Sequence, residues 1–271
     1  MFFEGHDGTR LWYEDYGRGE PLVFVSSSML TTDMWEYQIP YFAERGFRCI
    51  AFDRRGHGRS DRPSGGYDLD STSEDLAALL DHLGLAEVTL IGHSMGGAEI
   101  ARYLARHGSG RVGRIALIAS MLPFMKQTED NPEGLPEALF QQSAELLRND
   151  RPRWMARQSQ VFFATHLGND VHPLMIDFTI QQVMSCAPYA TQQVQQAIFH
   201  TDQRAGLREI DVPTLVVHGA ADFSAPVDVT GRRTAKLIPG AVYKEYPNAG
   251  HGIYASHHPQ LNADLLEFIK G

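Results

Sequence analysis

Hydrophobic and polar residues alternate between two rhythms along this chain. Positions 9–16 and 21–25 read as short β-rich runs, parted by a turn at Gly17, Arg18 and Gly19. Aromatic and aliphatic residues then recur at roughly helical spacing over 32–45, and 47–52 is a continuous apolar run that reads as a buried strand. The same succession repeats: a helix over 70–83, a strand over 87–91, a helix over 98–106 and a strand over 112–119. Strands that alternate with helices in this way predict a mostly parallel sheet covered by helices on both faces. The rhythm breaks after Pro123. The stretch 124–205 carries many Gln, Met and Phe and no strong strand signal, so it reads as a helical insertion. Alternation then resumes with a strand over 213–217, a helix over 229–237, a strand over 241–246 and an amphipathic helix over 260–270. The expected organisation is a core of 1–123 and 206–271, with 124–205 inserted as a helical lid over a site.

Composition narrows the class. A chain of 271 residues is ordinary for one α/β domain and long enough to bury a deep core. With 43% hydrophobic and 21% charged residues it matches a soluble globular protein and not a disordered one. The formal net charge of -9 disfavours nucleic acid, which needs clustered Lys and Arg. Arg54 and Arg55 lie between Asp53 and Gly56 and read as part of a structured turn. Cys49 sits in an apolar run, and neither it nor Cys186 requires a disulfide. The N-terminus lacks a basic segment followed by an apolar one, and no apolar run approaches the ~18 residues of a membrane helix. A soluble, cytoplasmic protein without a membrane partner is expected, and a homo-oligomer is compatible with the sequence.

Chemistry concentrates at three strand ends. Gly92, His93, Ser94, Met95 and Gly96 form G-x-S-x-G, preceded by an apolar strand and followed at once by a helix. That context reads as a sharp elbow holding the Ser94 hydroxyl exposed above the sheet, with free N–H groups of the helix start beside it. The bland reading is a Ser that merely caps the helix. A neutral hydroxyl needs a base oriented by a third group, and in this kind of site the chain order is Ser, acid, His. Asp222 follows the strand over 213–217, and His251 lies between Gly250 and Gly252 after the strand over 241–246. Asp228 is the rival acid, His257 and His258 fall in or beside the last helix, and His57 and His218 read as packed structural residues. No His, Cys and Asp grouping has metal-ligand spacing, and no Gly-rich loop fits a dinucleotide or phosphate. No cofactor or metal is expected.

These residues carry a resemblance. The chain is similar to the non-haem chloroperoxidase, perhydrolase and arylesterase group of α/β-hydrolases over nearly its whole length. The similarity rests on Asp33 to Gln38, on Ala51 to Gly56, on Gly92 to Gly97, on Ala101 to Tyr103, on Val212 to Gly219 and on Leu261 to Leu266. It implies the α/β-hydrolase fold, esterase activity without a cofactor and a triad of Ser94, Asp222 and His251. Some members also make peracids. It further implies an oxyanion hole made by the backbone N–H groups of Met95 and Ser28. One departure stands out: where the family reads His-Gly and a bulky residue, this chain has Ser26, Ser27, Ser28 and Met29. The hydroxyls add donors near the oxyanion, or only hold the loop. Met29 stands where strong perhydrolases carry Pro, which ranks perhydrolysis below ester hydrolysis.

The expected substrate is a small or medium carboxylic ester or a lactone. The expected pocket wall is Met29, Met121, Phe124, Met125, Phe162, Phe163 and Phe223. Two alternatives stand beside it: a specialised acyl or carbon–carbon bond hydrolase for a polar substrate, and a ligand receptor without catalysis on the same fold.

Overall fold

The computed structural model describes residues 1–271, the side chain of Gln160 excepted. Eight strands form one sheet: β1 (Phe2–Glu4), β2 (Arg10–Gly17), β3 (Pro21–Val25), β4 (Arg48–Phe52), β5 (Val88–His93), β6 (Val112–Ile118), β7 (Thr214–Gly219) and β8 (Val242–Tyr246). Their order across the sheet is β1-β2-β4-β3-β5-β6-β7-β8. The first two strands run antiparallel, and the pairs from β4 to β8 are parallel. The chain therefore has the α/β-hydrolase architecture that the sequence implied.

Burial on both faces explains the apolar runs. Along β3, Val23 and Val25 join one core, while Leu22 and Phe24 join the other. The same two-residue alternation divides Leu90 from Ile91 and Ile115 and Leu117 from Ala116 and Ile118. Helices Leu69–His82 and Met95–His107 cover the first face. Trp35, Phe42 and the helix His258–Lys270 cover the second. With both faces dry, strand positions on either side favour apolar residues.

Three local expectations are revised. β1 was not anticipated, because three residues are too few for a period to show. β2 and β3 are consecutive in sequence but not neighbours, since β4 lies between them. The helical stretch over 32–45 divides into a 3₁₀ turn, Thr32–Trp35, and a short helix, Ile39–Ala43. Pro40 sits in the first turn of that helix, where a missing N–H is tolerated, and would interrupt a helix running through from 32.

Between β6 and β7 the chain forms helices Glu137–Asn149, Arg151–Phe162, Pro173–Ser185 and Pro188–His200, and then a short helix, Arg204–Arg208. The stretch begins without a helix: bridges join Lys126 to Leu135 and Thr128 to Asn131. Among the described residues, no helix is long and apolar enough to cross a membrane.

The parallel strands bring the loops after β3, β4, β5, β7 and β8 to one edge of the sheet, where open α/β sheets build their sites. A tight backbone contact there is at Gly96, where a Cβ would lie 2.0 Å from the carbonyl oxygen of Val25. Gly96→Ala must displace backbone and should lower Tm by roughly 3–10 °C. Gly110→Ala, with open space around it, serves as the control and should leave Tm within about 2 °C in a thermal melt.

Candidate active site

Ser94 sits between the last residue of β5 and the first residue of the helix Met95–His107. Its φ of 56° and ψ of -116° are strained for a residue with a side chain. The surroundings hold it there: its N–H donates to the Ile118 carbonyl at 2.9 Å, and its own carbonyl accepts from Met121 at 3.2 Å. The glycines of the motif are a matter of space. A Cβ on Gly92 would come within 2.6 Å of the Gly96 backbone. The Ser94 side chain lines a cavity of about 250 Å³ at the sheet edge.

Asp222 and His251 meet across the loops after β7 and β8. The His251 Nδ1–H donates to Asp222 Oδ2 at 2.7 Å, and Asp222 Oδ1 accepts from the Ala225 N–H at 2.8 Å. Burial alone would raise the Asp222 carboxyl, but His251 and His218 outweigh it and hold the acid well below the ordinary carboxylate range. With Nδ1 donating, Nε2 of His251 is the acceptor, and the residue lines the same cavity as Ser94. Among the described residues no hydrogen bond joins Ser94 Oγ to His251; such contacts often close only around a substrate.

Two other histidines brace this pair. His93 directs Nε2 at the His251 carbonyl at 2.8 Å, and burial pushes its imidazole down to about 3, so it donates as a neutral ring. His218 is fully buried, as its place at a strand end suggested. It also lies 3.3 Å from Asp222 Oδ2 while directing Nε2 at the Ala225 carbonyl at 2.8 Å. Rival groups lie elsewhere. Asp228 is exposed and paired with Arg232, His258 stacks on Tyr37, and His257 approaches Ser256.

The loop after β3 can be read one N–H at a time. Ser27 donates to Met34 Sδ, Met29 to His57 Nε2, Leu30 to the Ser27 carbonyl, Thr31 to Gln182 Oε1 and Thr32 to Asp53 Oδ1. Among residues 27–32, only the Ser28 N–H has no acceptor, and the Met95 N–H at the helix start has none either. The serine hydroxyls divide their roles. Ser26 Oγ accepts from Trp35 Nε1 and donates to the Thr31 carbonyl, holding the loop. Ser28 Oγ accepts from Gln195 Nε2 of the helix Pro188–His200 at 3.3 Å. Met29 has a positive φ of 61°, a strain retained by His57 at its N–H and Cys186 at its carbonyl.

Of the expected wall, Met29, Met121, Met125, Phe162, Phe163 and Phe223 line the cavity. Phe124 does not: it is buried beneath the Arg204 guanidinium, outside the wall. The sequence reading missed most of the wall, which comes from the inserted helices. Ile176, Thr179, Ile180 and Val183 form one stripe, and Gln195, Ile198 and Phe199 another. Their i, i+3, i+4 spacing was the available signal. No Asp, Glu, Lys or Arg lines the cavity among the described residues.

Comparison with known proteins agrees with this fold. The family model described as the alpha/beta hydrolase fold matches residues 20–257. The non-heme haloperoxidase of Rhodococcus erythropolis is 40% identical over 271 residues, covering 99% of both chains. A bifunctional esterase/perhydrolase of Acinetobacter calcoaceticus is 33% identical, covering 97% of each. The crystal structure of bromoperoxidase from Bacillus anthracis superposes with a TM-score of 0.95 at 33% identity, covering 100% of this chain and 99% of that one.

Asp222→Asn should leave the fold intact and lower kcat by about 10³–10⁴-fold, because the imidazole loses its orienting charge. In the unaltered protein, Asp222 stays ionised through the mildly acid range. A pH profile of kcat/KM should therefore show no loss traceable to protonation of Asp222 in the mildly acid range.

Proposed function

This chain belongs to the α/β-hydrolase fold family, and from that premise we propose that it is a serine esterase acting on uncharged carboxylic esters. The observation that carries the proposal is the Asp222–His251 hydrogen bond of 2.7 Å at the wall of the cavity that Ser94 also lines. In this mechanism Ser94 Oγ attacks the ester carbonyl while His251 Nε2 takes its proton, with Asp222 holding the ring and stabilising the imidazolium. The N–H groups of Ser28 and Met95 receive the oxyanion. The protonated His251 returns its proton to the leaving alcohol. Water, activated by the same imidazole, then releases the acid from Ser94. The relative named as an esterase and perhydrolase supports the acyl-transfer class.

The wall favours an apolar acyl group. Its inner part is built from side chains such as Met125, Met155, Ile180 and Phe199, and a carboxylate buried there would meet no cation. Size is limited too, since the cavity of about 250 Å³ also holds the reacting centre.

Two assays test this. Ser94→Ala should reduce hydrolysis of p-nitrophenyl butyrate by about 10⁴-fold with an unchanged melting curve; activity near that of the unaltered protein would refute the nucleophile. Next, p-nitrophenyl hexanoate is compared with the half-ester of glutaric acid, which is similar in length but ends in a carboxylate. The hexanoate should lead in kcat/KM by about 10²-fold or more. Equal rates would mean that the acyl chain does not enter this cavity.

A further inference from the structure

The oxyanion hole proposed above is assembled from two separate pieces of chain, the loop after β3 and the start of the helix Met95–His107. They touch where the Val25 and Ser26 carbonyls press against Gly96: a Cβ there would lie 2.0 Å and 2.9 Å from those two oxygens. That contact stops the pieces approaching but does not stop them separating or sliding.

A third piece spans both. Arg54, two residues beyond β4, is 3% exposed and Glu99 is 1% exposed. Arg54 Nε donates to Glu99 Oε1 at 2.6 Å, and Nη2 donates to Oε2 at 2.5 Å. The same guanidinium donates through Nη2 to the Ser26 carbonyl at 2.9 Å and through Nη1 to the Ser27 carbonyl at 3.1 Å. Glu99 belongs to the helix that begins at Met95, and Ser26 and Ser27 immediately precede Ser28. One rigid plate is thus fixed at one edge to the half of the hole that carries Met95 and at the other to the half that carries Ser28.

We infer that the buried Arg54–Glu99 pair is a positioning device that sets the distance between the two oxyanion donors, Ser28 N–H and Met95 N–H. Stability alone is a poor account of the pair. Taking two charges out of water is costly, and an apolar pair of the same volume often stabilises a core as well or better. What an apolar pair cannot supply is direction: a planar fork with several fixed donors that grips a carboxylate bidentately and two carbonyls together. His57 completes the restraint by accepting from the Met29 N–H, so Ser28 lies between anchored neighbours on both sides. Neither Arg54 nor Glu99 lines the cavity, so they act on the reaction only through the backbone they hold.

The inference rests on the serine-esterase reading, and the test separates the two. Arg54→Lys keeps the charge but loses the fork. Its kcat on p-nitrophenyl butyrate should fall about 10- to 100-fold, as expected for a small misplacement of catalytic donors, with KM within threefold. Inhibition by phenylboronic acid, whose tetrahedral adduct places an oxygen in the hole, should weaken by a similar factor. If that variant does not fold, Arg54→Met combined with Glu99→Leu removes both buried charges together and is measured in the same way. A folded variant with kcat within twofold of the unaltered protein overturns the inference, as does a fall in kcat without a matching loss of boronate affinity. Ser94→Ala is assayed in parallel: if it hydrolyses esters normally, the esterase reading itself fails, whereas its inactivity beside an unaffected Arg54 variant removes the positioning role alone.

Discussion

The structure depends on how closely the helix after β5 approaches the end of β3. With only 2.0 Å between the Val25 oxygen and the place a Cβ on Gly96 would occupy, no residue but glycine lets the strand turn into the helix there. That approach forces Ser94 to φ 56°, a conformation costing about 1–3 kcal/mol. The cost is tolerated because β5 is buried along its whole length between β3 and β6, and because the Ser94 backbone is bonded to Ile118 and Met121. The free helix N–H at Met95 and the placing of Ser94 at the cavity wall both follow from the turn.

Around the turn lie several buried polar side chains with specific partners. His57, His93 and His218 are fully buried without facing the cavity, and each directs a ring nitrogen at a loop backbone. Burial pushes His57 and His93 down to about 3, so they remain neutral braces through the mildly acid and neutral range. The inserted helices are tied to the same parts. The Phe162 ring packs edge-on against His251, and the Phe162 carbonyl accepts from the Gly252 N–H at 2.7 Å. Gln182 holds Thr31, and Gln195 holds Ser28. Phe162 and Gln195, which shape the pocket, thus also pack against His251 and hold the loop after β3.

The sequence was most legible where structure is local. A buried strand, a Ser with a glycine two residues to either side and a helix follow one another, so the elbow could be read directly, and Asp222 and His251 each follow a recognisable strand. The sequence was least legible where meaning comes from distant partners. Arg54 and Arg55 read correctly as a turn, but nothing local distinguishes a surface Arg from one gripping Glu99 or Asp75 in the interior. In the sequence His57 reads as any structural His, whereas in the fold its Nε2 accepts from the Met29 N–H. The pocket failed differently. Phe124 lies in the same Phe- and Met-rich stretch, but the wall follows helical stripes that begin at Trp154, Ile176 and Gln195 and become visible only once the helix phases are fixed.

The most direct test of the account is covalent. The protein is treated with a fluorophosphonate, digested, and the modified peptide sequenced by mass spectrometry. One adduct on Ser94 is expected, forming far more slowly in His251→Ala because the hydroxyl has lost its base. Full ester hydrolysis with no adduct on Ser94, or with the adduct on another residue, would contradict the site described for this chain.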